Sequence, residues 1–152
     1  MIQKRALKIC SLMIKLKPYS ASMLALGGLL LVAMGIYFVL LRPPLLPEDL
    51  GYMGSSLQNV NDKIPGLANW LQKVFWVLGG YIFTTGVLTV FISFTSFRKR
   101  TGGAFNVVAI TGISSIGSMT IVNFMIGSDF KWVLLTFTFP WAIALILYRL
   151  YK

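Results

Sequence analysis

Very few side chains in this 152-residue sequence are equipped to do chemistry. There is no histidine, which removes imidazole general bases, Ser-His-Asp and Cys-His nucleophilic sites, histidine-ligated haem and nearly every zinc constellation. Cys10 is the sole cysteine, so neither an intrachain disulfide nor a C-x-x-C redox pair can form. Glu48, Asp49, Asp62 and Asp129 are the whole acidic complement. All four fall outside the long apolar runs, which leaves an intramembrane proton relay nothing to run on. These absences predict a protein that is not an enzyme and uses no cofactor and no metal.

The elements that must position the remaining polar groups are apolar to an unusual degree. Apolar residues make up 57% and charged residues 12%, against about 45–50% and about 25% in ordinary soluble domains, and the mean hydropathy is +0.78. Uncharged runs cover 18–41, 74–97, 101–128 and 132–148. Each approaches or exceeds the roughly 20 helical residues, at about 1.5 Å apiece, that cross a hydrocarbon core. This excludes a cytosolic enzyme, a disordered chain and a secreted disulfide module. It predicts an all-α membrane protein with four transmembrane helices, at about 20–41, 74–97, 104–126 and 132–149, in an up-down bundle.

The net charge of +10 is distributed as a topology signal rather than as a nucleic-acid footprint. Lys4, Arg5, Lys8, Lys15, Lys17, Arg98, Lys99, Arg100, Arg149 and Lys152 fall on one side; Arg42, Lys63, Lys73 and Lys131 share the other with all four acids. Because Lys and Arg accumulate in cytoplasmic loops, both termini are expected in the cytoplasm, with 42–73 as the extracytoplasmic loop. Residues 1–17 form a separate basic segment. On a helical wheel Lys4, Lys8, Ser11 and Lys15 share one face, opposite Ile2, Ala6, Ile9, Met13 and Leu16. Such an amphipathic helix would lie on anionic headgroups; a basic tail is the alternative. A cleaved signal peptide fits less well, because Lys15 and Lys17 interrupt the apolar stretch. Arg98, Lys99 and Arg100 would also meet headgroups.

Within 42–73, the prolines Pro43, Pro44 and Pro47 make a stiff connector. Pro47-Glu48-Asp49 reads as a helix start, with acids at the positive end of the dipole. A short helix over 48–53, a segment at 57–63 closed by Pro65-Gly66, and a lead-in at 67–73 should lie over the end of the bundle. The links 98–103 and 127–131 are short, which predicts that spans two, three and four are neighbours in order.

Each span offers the others small residues, and in lipid close packing of small residues holds helices together. These are Ala21, Ala25, Gly28 and Gly35; Gly79 and Gly86, with Gly80 and Thr84 alongside; Thr111, Gly112, Ser114, Ser115, Gly117 and Ser118; and Thr136, Pro140 and Ala144. Packing within the chain is the plain expectation, with hydroxyls bonding back to their own helices. Lining a pore or groove is the alternative, with Glu48, Asp49 or Asp129 at the outer end. Tyr52, Trp70, Trp76, Trp132, Phe97, Phe105, Tyr148 and Tyr151 occupy interfacial positions and read as anchors. Trp141, at the centre of span four, is expected to face lipid or fill the core, or else to stack on a quinone-like ring. Asn123 needs a hydrogen-bond partner, for which Tyr81 lies at similar depth. Asp129 is expected to cap the fourth helix.

Gly27-Gly28…Gly35 running into Arg42-Pro43, followed by Gly79-Gly80-Tyr81…Gly86 running into a basic turn, resembles the glycine pattern of DoxX-like small bacterial inner-membrane proteins. The resemblance implies a four-helix bundle in a bacterial cytoplasmic membrane and supplies no substrate or reactive residue. The functional expectation is therefore a non-catalytic integral membrane protein acting through helix–helix contact. Its partners would be the lipid bilayer and other membrane chains or further copies of itself, without nucleic acid. The alternatives are a small transporter or channel along the polar seam of spans two and three, and a lipid- or quinone-binding protein.

Overall fold

The computed structural model describes residues 19–150, and every regular element among them is helical. Lys4, Lys8 and Lys15 of the expected amphipathic segment lie outside the described residues, as do Tyr151 and Lys152. Four helices are long and apolar enough to cross a membrane: Tyr19–Leu40, Leu67–Phe97, Ala104–Met125 and Lys131–Leu150. The second therefore begins earlier than the apolar run alone predicts, because 67–73 joins it without a break. Large apolar side chains such as Leu29, Phe91, Ile110 and Ile146 are exposed on all four helices. Soluble monomers do not present apolar surface on this scale.

The breaks between helices follow from local chemistry. The first span stops at Leu40, just ahead of Pro43-Pro44, whose rings lack N–H groups and disfavour helix in the residue before them. Pro47–Tyr52 forms one short helix, its entry held by the Asp49 carboxylate accepting from the Leu46 N–H at 2.9 Å. Leu57–Lys63 forms another, with the Ser56 hydroxyl accepting from the Asn59 N–H at 3.2 Å. Spans two and three each contain a turn of π-helix, at Ser93–Phe97 and Ile113–Gly117. The second lies in the Gly/Ser-rich part of span three. Gly127, at φ +70°, makes the left-handed turn into span four that a side chain would strain.

Span one is the centre of the packing. It runs antiparallel to span two along a glycine seam, with Gly28 facing Gly86 and Val90, Gly35 facing Phe83, and Gly79 facing Gly35 and Val39. A Cβ at Gly86 would lie 2.6 Å from the Val32 nitrogen and 2.7 Å from the Gly28 carbonyl oxygen, so backbone meets backbone there. Span one also packs on span four, and span four on span three. Spans two and three, expected to be neighbours, meet chiefly at their connecting turn, where Ser93–Phe97 approaches Ala104–Gly112. A short link fixes where two helices begin; it does not make them pack along their length.

Trp141 joins the helices on the other side. It is buried, 3% exposed, with its ring against Gly27 and Gly112 and its Nε1 donating to the Val108 carbonyl at 2.9 Å. It fills the core rather than facing lipid. Leu24, Leu31, Phe97, Val108, Ile116 and Leu134 complete that core.

Candidate functional site

Because spans two and three separate above their turn, a cavity of about 920 Å³ opens between them. Leu31, Met34 and Tyr37 of span one form its back, and Leu78, Tyr81, Ile82 and Thr85 of span two form one wall. The opposite wall is the hydroxyl face of span three, Thr111, Ser114, Ser115 and Ser118, continued by Met119, Val122 and Asn123. Val133, Leu134 and Phe137 contribute from span four. Tyr81, Leu78, Val122, Ser114 and Ser118 are exposed, which places the opening on the flank that spans two and three present to their surroundings.

The three serine hydroxyls on this wall bond back to their own helix. Ser115 donates to the Thr111 carbonyl at 2.6 Å, Ser118 to Ser114 at 2.6 Å and Ser114 to Ile110 at 2.8 Å. Thr85 does the same to Tyr81 at 2.8 Å on the facing wall. The serine part of the wall is thus small and smooth, and it presents methylenes and occupied hydroxyls. The π-turn at Ile113–Gly117 carries Ser114 and Ser115, and such turns recur at functional positions.

One end of the cavity is roofed by the first part of the 42–73 loop. Arg42 pairs with Asp49 at 3.3 Å and lays its guanidinium on the Phe75 ring, 3.5 Å from the centroid. Its other terminal nitrogen donates to the Pro43 carbonyl at 3.1 Å. Glu48, one residue away, accepts a hydrogen bond from Ser128 at 3.0 Å, tying the loop to the link between spans three and four. Arg42, Glu48, Asp49 and Ser128 all line the cavity. This first part of the 42–73 loop, Arg42, Leu46, Glu48 and Asp49, thus covers that end of the cavity.

Several of the residues named from the sequence lie away from this cavity or are bonded differently. Gly28, Gly35, Gly79 and Gly86 are spent on the seam of spans one and two, and Gly112 on Trp141; none lines the cavity. Tyr81 and Asn123 face the same cavity from opposite walls but are not bonded to each other. Asn123 donates to the Met119 carbonyl at 2.9 Å on its own helix, so equal depth did not imply contact. Asp129 is exposed, and its side chain makes no capping bond among the described residues; the turn into span four is held by the preceding residue, the buried Ser128, whose hydroxyl accepts from the Phe130 N–H at 3.1 Å. At the opposite end Phe97 is fully buried against Tyr148, with ring centroids 4.5 Å apart, and is no interfacial anchor. Arg98 and Lys99 are exposed, but Arg100 turns inward, donating to the Tyr148 carbonyl at 2.8 Å and covering its ring.

Sequence reasoning passed over the roles of Arg42, Ser128 and Thr85. The first two had a signal: an arginine and an aspartate flanking a proline connector, and a serine three residues before a helix. Among the described residues no three His, Cys, Asp or Glu side chains gather where they could hold a metal ion. No protein-family model, no curated protein and no solved structure matches the chain, so the DoxX-like resemblance rests on glycine spacing alone.

Proposed function

We propose that this is a non-catalytic integral membrane protein that works by contact inside the bilayer, and that its working surface is the cavity between spans two and three. The observation that carries this reading is the division of small residues. The glycines are consumed in holding spans one and two together, whereas the serine face of span three is left bordering an open, mostly apolar space. At about 920 Å³ that space is at the upper end of the range of binding pockets, which run to roughly 300–1,000 Å³. In this reading the four helices form an up-down bundle in a bacterial cytoplasmic membrane. Both termini are in the cytoplasm, the Glu48 roof is outside, and Arg98, Lys99 and the basic amino-terminal segment lie on anionic headgroups.

A second reading is a small transporter or channel, favoured by the row of Thr85, Thr111, Ser115 and Ser118 along one cavity. The two separate in reconstituted vesicles and by mass. Contact inside the bilayer predicts that protein purified in gentle detergent retains an occupant, and that Ser114→Leu with Ser118→Leu, which fills the wall, lowers that retention several-fold without unfolding the chain. Solute flux above that of empty vesicles, lost in the same variant, would establish transport instead. A bare chain with neither occupant nor flux would refute both.

A further inference from the structure

The cavity has a polar end with an unbalanced charge. Three ionisable side chains line the roof: Arg42, Glu48 and Asp49. Asp49 is taken up by Arg42 and by the Leu46 N–H. Glu48 is different. It is half-buried and receives a neutral hydroxyl from Ser128, and among the described residues no Lys or Arg nitrogen approaches it within ion-pair distance; the pair formed by Arg42 and Asp49 is the one ion pair there. A carboxylate turned toward an apolar space is stabilised by a cation with N–H groups to donate. Deeper in the cavity the walls include Leu31, Met34, Ile82 and Phe137, which suit hydrocarbon. The entrance lies on the flank where spans two and three part, so the occupant would arrive from the bilayer rather than from water.

We infer that the occupant is a lipid whose headgroup carries a primary ammonium, seated with the ammonium at Glu48 and its hydrocarbon between spans two and three. The inference rests on the contact reading above and adds the identity of what is held. A partner helix fits this space less well, since a hydrophobic helix brings no N–H cation to the roof. A purely anionic lipid would bring a phosphate toward a roof whose three formal charges sum to −1.

Native mass spectrometry of the full chain, equilibrated in detergent with equal amounts of phosphatidylethanolamine, phosphatidylcholine and phosphatidylglycerol, tests this directly. The expected result is one retained phosphatidylethanolamine, preferred about tenfold or more, as suits a hydrogen bond to a charged group. Glu48→Gln should abolish that preference while lipid of any kind is still held, because glutamine keeps the oxygen to which Ser128 donates. Glu48→Asp should restore part of it. Retention without headgroup preference overturns the assignment to an ammonium lipid and leaves the contact reading standing. A preference unchanged in Glu48→Gln overturns the role of Glu48. A protein chain retained in place of lipid overturns the inference, and an empty chain overturns both it and the reading beneath it.

Discussion

Gly35→Ala puts the most weight on the packing described above. A methyl there would lie 2.5 Å from the Phe83 nitrogen and 2.7 Å from its Cα, both backbone atoms that no rotamer change can move. Ordinary contact needs 3.4 Å or more, so spans one and two must part locally by about 1 Å. A gap of that size forfeits about a quarter to a half of the attraction of each atom pair, itself about 0.1–0.2 kcal/mol. If on the order of 20–30 pairs in the flanking turns are affected, the loss is on the order of 1–2 kcal/mol, inside the usual span for overpacking. Lipid cannot return this as hydrophobic energy, since it is as apolar as the interface it would enter. Gly80→Ala is the matched control: the same change on the facing span, at a glycine with nothing within 4 Å. In a reversible titration from mild detergent into dodecyl sulfate, followed by helicity and tryptophan fluorescence, Gly35→Ala should shift the folding equilibrium about tenfold toward the unfolded form. Gly80→Ala should leave it unchanged or slightly improved. Gly35→Ala with Gly79→Ala should cost less than the sum of the two, because one separation relieves both. Coincident curves for Gly35→Ala and Gly80→Ala would refute a backbone-to-backbone seam.

Two further perturbations test the other side of the molecule. Trp141→Phe keeps most of the ring against Gly27 and Gly112 but deletes the bond to the Val108 carbonyl, at a cost of about 0.5–1.5 kcal/mol in the same titration; no loss would show that packing alone holds the residue. Ser128→Ala removes both the bond that holds the turn into span four and the tie to Glu48, costing about 0.5–2 kcal/mol, whereas Asp129→Ala should stay within about 0.5 kcal/mol. The reverse order would assign the start of span four to Asp129.

The spans were legible because their apolar runs are long and uninterrupted, and a helix is the form in which a single chain can satisfy its own backbone in lipid. The 42–73 loop was legible for a different reason: prolines, glycine pairs and small polar residues act locally, so Pro47–Tyr52 and Leu57–Lys63 appear where the punctuation places them. What the pattern did not carry was which faces meet. In water an apolar stripe marks the buried side of a helix; in lipid both sides are apolar and the stripe loses its meaning. Glycine partly replaces it. Gly28, Gly35, Gly79 and Gly86 were recognisable as a packing set, and Gly27 and Gly112 mark the slot that takes Trp141, though from the chain alone nothing tied that indole to those two glycines.

The gap between spans two and three was the least legible feature, and its cause lies in the serines. An unmet hydroxyl in hydrocarbon is costly, and from the sequence these are expected to bond back to their own helices while the small-residue face packs on a neighbour. Here the hydroxyls of Ser114, Ser115 and Ser118 donate to carbonyls of their own helix. Once satisfied in that way, these serines make no demand on span two. Asn123, which shares the cavity with Tyr81, is likewise satisfied on its own helix, donating to the Met119 carbonyl. With the serines and Asn123 satisfied on their own helix and little hydrophobic gain from closing the gap, the two spans can stand apart, held at one end by their turn and roofed at the other by Arg42, Glu48 and Asp49. A polar seam that looked like adhesive therefore acts as a wall.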